Sequence, residues 1–174
     1  TPFGVTWLVG VPQSGKTTLA LALAAELVAA TRLPMLALDS AGVRQLGGVP
    51  SVSSLDQAIA ALWGRPRRSV RMVPTSLEEV ERTCRAVEAG KDIVLLVDEA
   101  HYWLSSSSGR SHALLRVMRA TQHARVHVLL TTQHLSGDVP QAALSCSPTI
   151  IAFRCTSPAV LRVLERDFGL PPDR

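Results

Sequence analysis

The stretch Val5-Thr-Trp-Leu-Val-Gly10-Val-Pro-Gln-Ser-Gly15-Lys16-Thr17 decides the fold. A short apolar run ends at a glycine, and the next residues match GxxxxGK[ST] without a mismatch before an Ala- and Leu-rich segment begins. This order predicts a strand, a phosphate-binding loop and a helix whose N-terminus faces the phosphate. The nucleotide-binding residues predicted from it are Gly10, Val11, Pro12, Gln13, Ser14, Gly15, Lys16, Thr17 and Thr18.

Each residue type in the loop is explained by the chemistry of phosphate binding. Gly10 and Gly15 are predicted to allow the backbone angles that let successive N–H groups surround a phosphate. Lys16 is predicted to neutralise charge on the β- and γ-phosphates, and the Thr17 hydroxyl to ligate Mg²⁺. ATP and Mg²⁺ are therefore the expected ligands.

A second motif, Ile93-Val-Leu-Leu-Val-Asp98-Glu99, places two acids at the end of a hydrophobic strand. Asp98 is predicted to hold Mg²⁺ through water, and Glu99 to orient and deprotonate an attacking water. A kinase that acts on a small molecule does not need such a water-activating acid. The adjacent pair therefore favours an ATPase, although a surface acid is the alternative for Glu99.

A third polar element follows the apolar run Val126–Thr132. Gln133 stands at the tip of this predicted strand, beside the strand that ends in the two acids. We predict that Gln133 contacts the γ-phosphate as a sensor. The alternative is a strand-end cap that touches no ligand.

Apolar runs alternate with helical patterns along the whole chain, which predicts an α/β fold with a mainly parallel central sheet and helices on both faces. The predicted strands are Val5–Gly10, Pro34–Asp39, Ser69–Val73, Asp92–Val97, Val126–Thr132 and Thr149–Phe153. The predicted helices are Lys16–Thr31, Leu55–Trp63, Ser76–Gly90, His112–Ala124 and Pro158–Phe168. We expect one domain over residues 1–174, with 170–174 as a flexible tail.

Composition excludes several classes of protein. Hydrophobic residues make up 47% of the 174 residues, which excludes a disordered chain. The longest apolar stretch, Leu19–Ala30, is interrupted by Glu26 and is too short for a membrane span, so the chain is not expected to be transmembrane. Three cysteines without a CxxC pair favour a reduced, cytoplasmic setting. The net charge of +4 mildly favours a polyanionic partner.

The motifs together resemble the FtsK–HerA superfamily of P-loop motor ATPases. The resemblance rests on the Walker A loop, the Asp98-Glu99 strand and the strand that ends in Thr131-Thr132-Gln133. The segment Arg119-Ala-Thr-Gln-His-Ala-Arg-Val-His-Val-Leu-Leu-Thr-Thr-Gln133 is similar to the one that joins that group's trans-acting arginine region to its sensor glutamine. The segments Ser136-Gly-Asp-Val-Pro140 and Ile150-Ile-Ala-Phe-Arg154 resemble the end of that group's ATPase sequence.

The resemblance covers the chain from about Val5 to Phe168 and implies a single RecA-like (ASCE) P-loop domain. By size it is nearest to the minimal genome-packaging ATPases of tailless viruses with an internal membrane. It implies an ATP-hydrolysing translocase of double-stranded DNA that works in a homo-oligomeric ring, a hexamer or a pentamer. It also implies a place in the host cytoplasm or the virion, with a capsid vertex or membrane protein as docking partner.

A ring of this kind takes an arginine finger from the neighbouring subunit. Relatives often carry an R-x-x-R pattern where this chain has Arg119-Ala-Thr-Gln122. Arg119 is the first candidate, and Arg116 and Arg110 stay open.

Candidate DNA contacts are the cluster Gly64-Arg65-Pro-Arg67-Arg68-Ser-Val-Arg71 and the loop Ser105–Arg110, with solvated loops as the alternative for both. Two other functions also stay open: a cellular HerA-like helicase or conjugation ATPase core, and a regulatory P-loop ATPase that does not act on nucleic acid. The string Asp98-Glu-Ala-His101 spells the DEAH box of superfamily 2 helicases, which need two RecA-like domains and a SAT-like motif. We interpret it as a coincidence.

Overall fold

The central feature of the computed structural model, which describes residues 3–40, 42, 48–105, 111–135 and 139–170, is a seven-stranded sheet over those residues. The strands are β1 (Val5–Val9), β2 (Met35–Asp39), β3 (Ser51–Val52), β4 (Val70–Met72), β5 (Ile93–Asp98), β6 (Val126–Thr132) and β7 (Thr149–Ala152). All pairs are parallel, in the order β3-β4-β2-β5-β6-β1-β7. The predicted α/β class is confirmed, and the sheet is wholly parallel.

Helices cover both faces of this sheet. They are α1 (Lys16–Thr31), α2 (Leu55–Trp63), α3 (Leu77–Gly90), α4 (His101–Leu104), α5 (His112–Arg119), α6 (Thr121–Ala124), α7 (Gln141–Ser145) and α8 (Pro158–Phe168). On one face, Ala20 and Ala24 of α1 pack with Leu8 and Leu96 of the sheet. The larger core lies on the other face, beneath α3 and α5. Because β5 is buried on both sides, its sequence is a continuous apolar run.

Each predicted strand differs from the observed one by at most one residue at either end. The predicted helix 112–124 is two helices, because the chain departs from helical geometry at Ala120. Three short elements, β3, α4 and α7, are absent from the prediction because two to five residues are too few to show a period. Leu170 packs against the core, and 171–174 lie outside the described residues.

Helix α3 begins and ends for reasons that refine the prediction. The Ser76 hydroxyl accepts the N–H of Glu79, as in a capping box, but the Glu79 carboxylate accepts from Thr75 N rather than from Ser76 N. Gly90 is the last helical residue. A Cβ there would lie 2.2 Å from the Trp63 ring, so close packing requires the glycine.

Parallel strands place all their carboxyl ends at one edge of the sheet. Three backbone hydrogen bonds hold the start of the P-loop at this edge: Gly10 N donates to Thr132 O, Val11 N to Arg154 O (2.9 Å) and Phe153 N to Val9 O (2.7 Å). The loop is thus anchored on β6 and on the end of β7. Among the described residues, no helix is both long and apolar enough to cross a bilayer.

A buried ion pair supports the same edge. Asp39, at the end of β2, is in register with Asp98 at the end of β5 and is fully buried. Its Oδ2 accepts hydrogen bonds from Nε (3.0 Å) and Nη2 (2.6 Å) of Arg71 on β4. Arg71, part of the candidate DNA-binding cluster, therefore neutralises an internal carboxylate.

We expect Arg71→Met to destabilise the fold by about 3–5 kcal/mol, because it removes the guanidinium that pairs with the buried carboxylate of Asp39. Chemical denaturation measures the loss, and Arg67→Met, an exposed neighbour, is the control. Equal stability of the two variants would show that the pair does not hold the sheet edge together.

Candidate nucleotide-binding site

The P-loop between β1 and α1 is shaped by two different uses of glycine. Gly15 has φ 96°, the left-handed region in which glycine is favoured, and it caps α1. Gly10 is not among the residues with positive φ, which corrects the reason expected for it. A Cβ at Gly10 would lie 2.7 Å from Phe153 Cβ and 3.2 Å from Arg154 O. Close packing against the chain after β7 therefore requires Gly10.

A pocket of about 320 Å³ opens at the carboxyl edge of the sheet. It brings together nine of the predicted site residues: Pro12, Gln13, Ser14, Gly15, Lys16, Thr17, Asp98, Glu99 and Gln133. Tyr102, which no sequence motif indicated, also lines it. Gly10, Val11 and Thr18 belong to the loop and helix but do not line the pocket.

Lys16 and Thr17 begin α1, and both are largely buried. Lys16 Nζ donates to Val11 O at 2.9 Å, across the P-loop. The Thr17 hydroxyl donates to Asp98 Oδ1 at 3.0 Å, so the two predicted metal ligands are in contact. Ser14 Oγ is buried without a hydrogen-bond partner among the described residues. A phosphate bound in the loop would give this hydroxyl a partner.

The two acids after β5 are held by Thr131 of the neighbouring strand. Its hydroxyl donates to Asp98 Oδ1 at 2.6 Å and accepts the N–H of Glu99 at 2.9 Å. Asp98 is only 4% exposed. Thr131 fixes where the paired acids point, a role the sequence analysis did not assign.

Glu99 occupies a strained and polar position. Its φ is 49°, unusual for a residue with a side chain. Gln133 Nε2 donates to Glu99 Oε1 at 2.6 Å, and His101 Nδ1 lies 3.4 Å from Oε2. Burial raises the pKa of Glu99, but the nearby His101 side chain, the hydrogen bond from Gln133 and the charge of Lys16 lower that pKa on balance. The carboxylate is therefore ionised at neutral pH.

His101 joins a small cluster of rings beside Glu99. Its Nδ1 lies 3.2 Å from Thr132 Oγ1, and its ring centroid is 4.3 Å from that of Tyr102 and 4.9 Å from that of His134. Tyr102 is 52% exposed at the mouth of the pocket. The sequence analysis gave His101 no role. Its place three residues after Asp98 was the available signal, since the turn at residues 99–100 brings it back to the acids.

The oxygen donors at the pocket fit Mg²⁺. The hydroxyl of Thr17 and the carboxylate of Asp98 are hard ligands in contact with each other. No group of three or more His, Cys, Asp or Glu side chains among the described residues could hold a metal ion. The arrangement suits a cation that takes its remaining ligands from phosphates and water, as Mg²⁺ does.

Neither Arg116 nor Arg119 lines this pocket. Arg116 donates from Nε (3.2 Å) and Nη2 (3.1 Å) to Glu88 on α3. Arg119, at the end of α5, is exposed and has no hydrogen bond or ion pair with the described residues. Because α5 runs away from the carboxyl edge towards the start of β6, Arg119 cannot complete the pocket of its own subunit. Arg110 lies outside the described residues.

Solved structures similar to this chain include the genome-packaging NTPase B204 of Sulfolobus turreted icosahedral virus 2. Its sulfate complex matches with TM-score 0.77 and 20% identity, over 95% of this chain and 81% of that one. Its ATP-gammaS complex matches with TM-score 0.76 and 19% identity, over 95% and 82%. B204 of Sulfolobus turreted icosahedral virus, a DNA-packaging ATPase, matches with TM-score 0.73 and 18% identity, over 97% and 83%. These likenesses establish the fold.

The comparison of sequences gives the family. No curated protein matches this chain. The model of the ATPase family associated with various cellular activities (AAA) matches residues 6–155, which include the P-loop, both acids and Gln133. The chain therefore belongs to the AAA family of ATPases.

Proposed function

We propose that this AAA ATPase is a subunit of a ring that translocates double-stranded DNA and packages a viral genome. One observation carries the proposal: the hydrolytic groups are assembled in the pocket, but none of the described residues that line it is an arginine. The exposed Arg119 lies at the far end of α5 instead. Such a subunit is completed by a neighbour, and the resemblance of its fold to packaging ATPases supports DNA as the substrate that is moved.

Within the pocket, Lys16 binds the β- and γ-phosphates, replacing its present bond to Val11 O. Thr17 and Asp98 would hold Mg²⁺, Asp98 through water, and the ion would neutralise phosphate charge. The ionised Glu99 orients the attacking water and accepts its proton. Gln133 already holds Oε1 of Glu99, so this sensor residue connects the state of the γ-phosphate to the position of the base.

Arg119 of each subunit reaches the pocket of the next and stabilises charge on the transferred phosphoryl group. Such a ring closes as a hexamer or a pentamer, and we assign it to the FtsK–HerA group. It acts in the host cytoplasm or on the virion, docked on a capsid vertex or membrane protein. A cellular HerA-like helicase or conjugation ATPase has the same catalytic design.

We expect the specific rate of ATP hydrolysis to rise steeply with protein concentration and to rise further with double-stranded DNA. The reason is that shared sites exist only in assembled rings. Steady-state hydrolysis at several protein concentrations, with and without DNA, measures this, with Glu99→Gln as the blank. A specific rate that is independent of concentration and indifferent to DNA would instead indicate a regulatory ATPase.

A further inference from the structure

The edge of the sheet opposite the nucleotide pocket carries a concentration of positive charge. The loops before β2, β4, β5 and β6 are residues 32–34, 64–69, 91–92 and 125, and we call them the basic edge. Its cations are all exposed: Arg32, Arg65, Arg67, Arg68, Lys91 and Arg125. The single acid in these loops, Asp92, is paired with Arg125 at 2.8 Å. The side chains of the other five cations form no hydrogen bond or ion pair with the described residues.

These loops form one continuous surface. The strands that they precede are neighbours in the order β4-β2-β5-β6. Hydrogen bonds tie these loops to the adjoining ends of neighbouring elements: Met35 N of β2 donates to Ser69 Oγ at 2.9 Å, Trp63 Nε1 of α2 to Lys91 O at 2.9 Å and Asp92 N to Ala124 O of α6 at 3.1 Å. At about 4.8 Å per strand, the four loops span roughly 14 Å.

The backbone gives a second reason to regard these charges as selected. Arg32, Lys91 and Arg125 have φ of 61°, 57° and 54° at the ends of α1, α3 and α6. Glycine adopts this conformation with least strain, yet these three positions hold a cation. The fourth residue of the basic edge with positive φ, Asp92 (φ 54°), is the acid that pairs with Arg125. A helix dipole favours a cation at a helix end, but it does not account for Arg67 and Arg68, which lie in the irregular segment after α2.

We propose that the basic edge binds the phosphodiester backbone of duplex DNA. The inference rests on the proposed DNA function and names the surface that serves it. Arginine and lysine side chains at loop tips meet phosphates without reading bases, and each contact releases condensed counterions. Because the nucleotide pocket lies at the opposite edge of the sheet, one subunit binds DNA and ATP at the same time without competition between them. Arg71 is excluded from this surface, since its guanidinium is bonded to Asp39.

The test uses a variant that removes charge without straining the fold: Arg32→Gly, Arg67→Gln, Arg68→Gln and Lys91→Gly together. Glycine suits the positive φ at positions 32 and 91, and the other two side chains are exposed. The control removes the same charge from α3 and α8, with Arg82, Arg85, Arg162 and Arg166 each changed to Gln. Thermal unfolding of both variants checks that the fold is retained.

Binding is measured by fluorescence anisotropy of a labelled random-sequence duplex over a series of salt concentrations. We expect the basic-edge variant to bind at least ~10-fold more weakly, with the slope of log K against log salt smaller by about three or four. The control should stay within ~3-fold of wild type. Equal losses in both variants, or wild-type binding by the basic-edge variant, would overturn the inference.

The same measurements distinguish a failure of this inference from a failure of the proposed function. Wild-type protein that binds no duplex and is not stimulated by it would overturn both. Wild-type protein that binds DNA, together with a basic-edge variant that binds equally well, would overturn only the assignment of the surface. Binding of wild type to phosphatidylserine vesicles but not to duplex would show that the edge is a membrane contact and contradict the DNA assignment.

Discussion

Glu99→Gln should lower the rate of ATP hydrolysis by about 10²–10⁴-fold while leaving ATP binding nearly unchanged. The amide keeps the size of the side chain and an oxygen that can accept from Gln133, so the shape of the pocket is retained. It removes the carboxylate that takes the proton from water. Steady-state hydrolysis and titration with a fluorescent ATP analogue measure the two effects separately.

The matched control for this change is Glu165→Gln, an exposed acid on α8. It alters the net charge by the same amount and should leave hydrolysis unchanged. Hydrolysis by Glu99→Gln at the wild-type rate would show that Glu99 is not the base. A loss of nucleotide binding would show that the acid instead maintains the pocket.

Arg119→Ala should lower hydrolysis by the assembled protein on the order of 10³–10⁵-fold, the usual contribution of an arginine finger. Nucleotide binding should persist, because Arg119 does not line the pocket of its own subunit. Arg116→Ala is the control. It breaks only an exposed pair with Glu88, and such pairs contribute at most about 1 kcal/mol. Assembly of each variant is checked by light scattering.

Mixed rings separate action on a neighbour from action within the subunit. Subunits with Arg119→Ala retain the base, and subunits with Glu99→Gln retain the finger. Co-assembly of the two inactive variants should restore hydrolysis at every interface where an intact base meets an intact finger. If mixing restores nothing although the rings assemble, Arg119 does not act in trans.

Much of the architecture follows from local sequence because the sheet is wholly parallel. A strand buried on both faces, such as β5, needs a continuous apolar run. The crossover helices α2, α3 and α5 are amphipathic, whereas α1 follows from its Ala- and Leu-rich composition. The phosphate-binding loop is also predicted from local sequence, since its fixed spacing of glycines and Lys16 follows directly from the geometry of phosphate binding.

The features that the sequence did not predict depend on contacts between distant segments of the chain. Nothing near Arg71 in the chain shows that Asp39, 32 residues earlier, takes its charge. Thr131 acts on Glu99 only because β5 and β6 lie side by side. Similarly, the sequence favours Arg119 but leaves Arg116 open, and only packing of α5 on α3 shows that Arg116 is already paired with Glu88.

The position of β7 has a consequence for regulation. It is an edge strand, paired only with β1 among the described residues, and the chain directly after it holds the Val11 amide of the P-loop through Arg154 O. A partner that adds a strand to this edge and displaces Arg154 changes nucleotide affinity without entering the pocket. Thermodynamic reciprocity then requires ATP to change the affinity of that partner by the same factor.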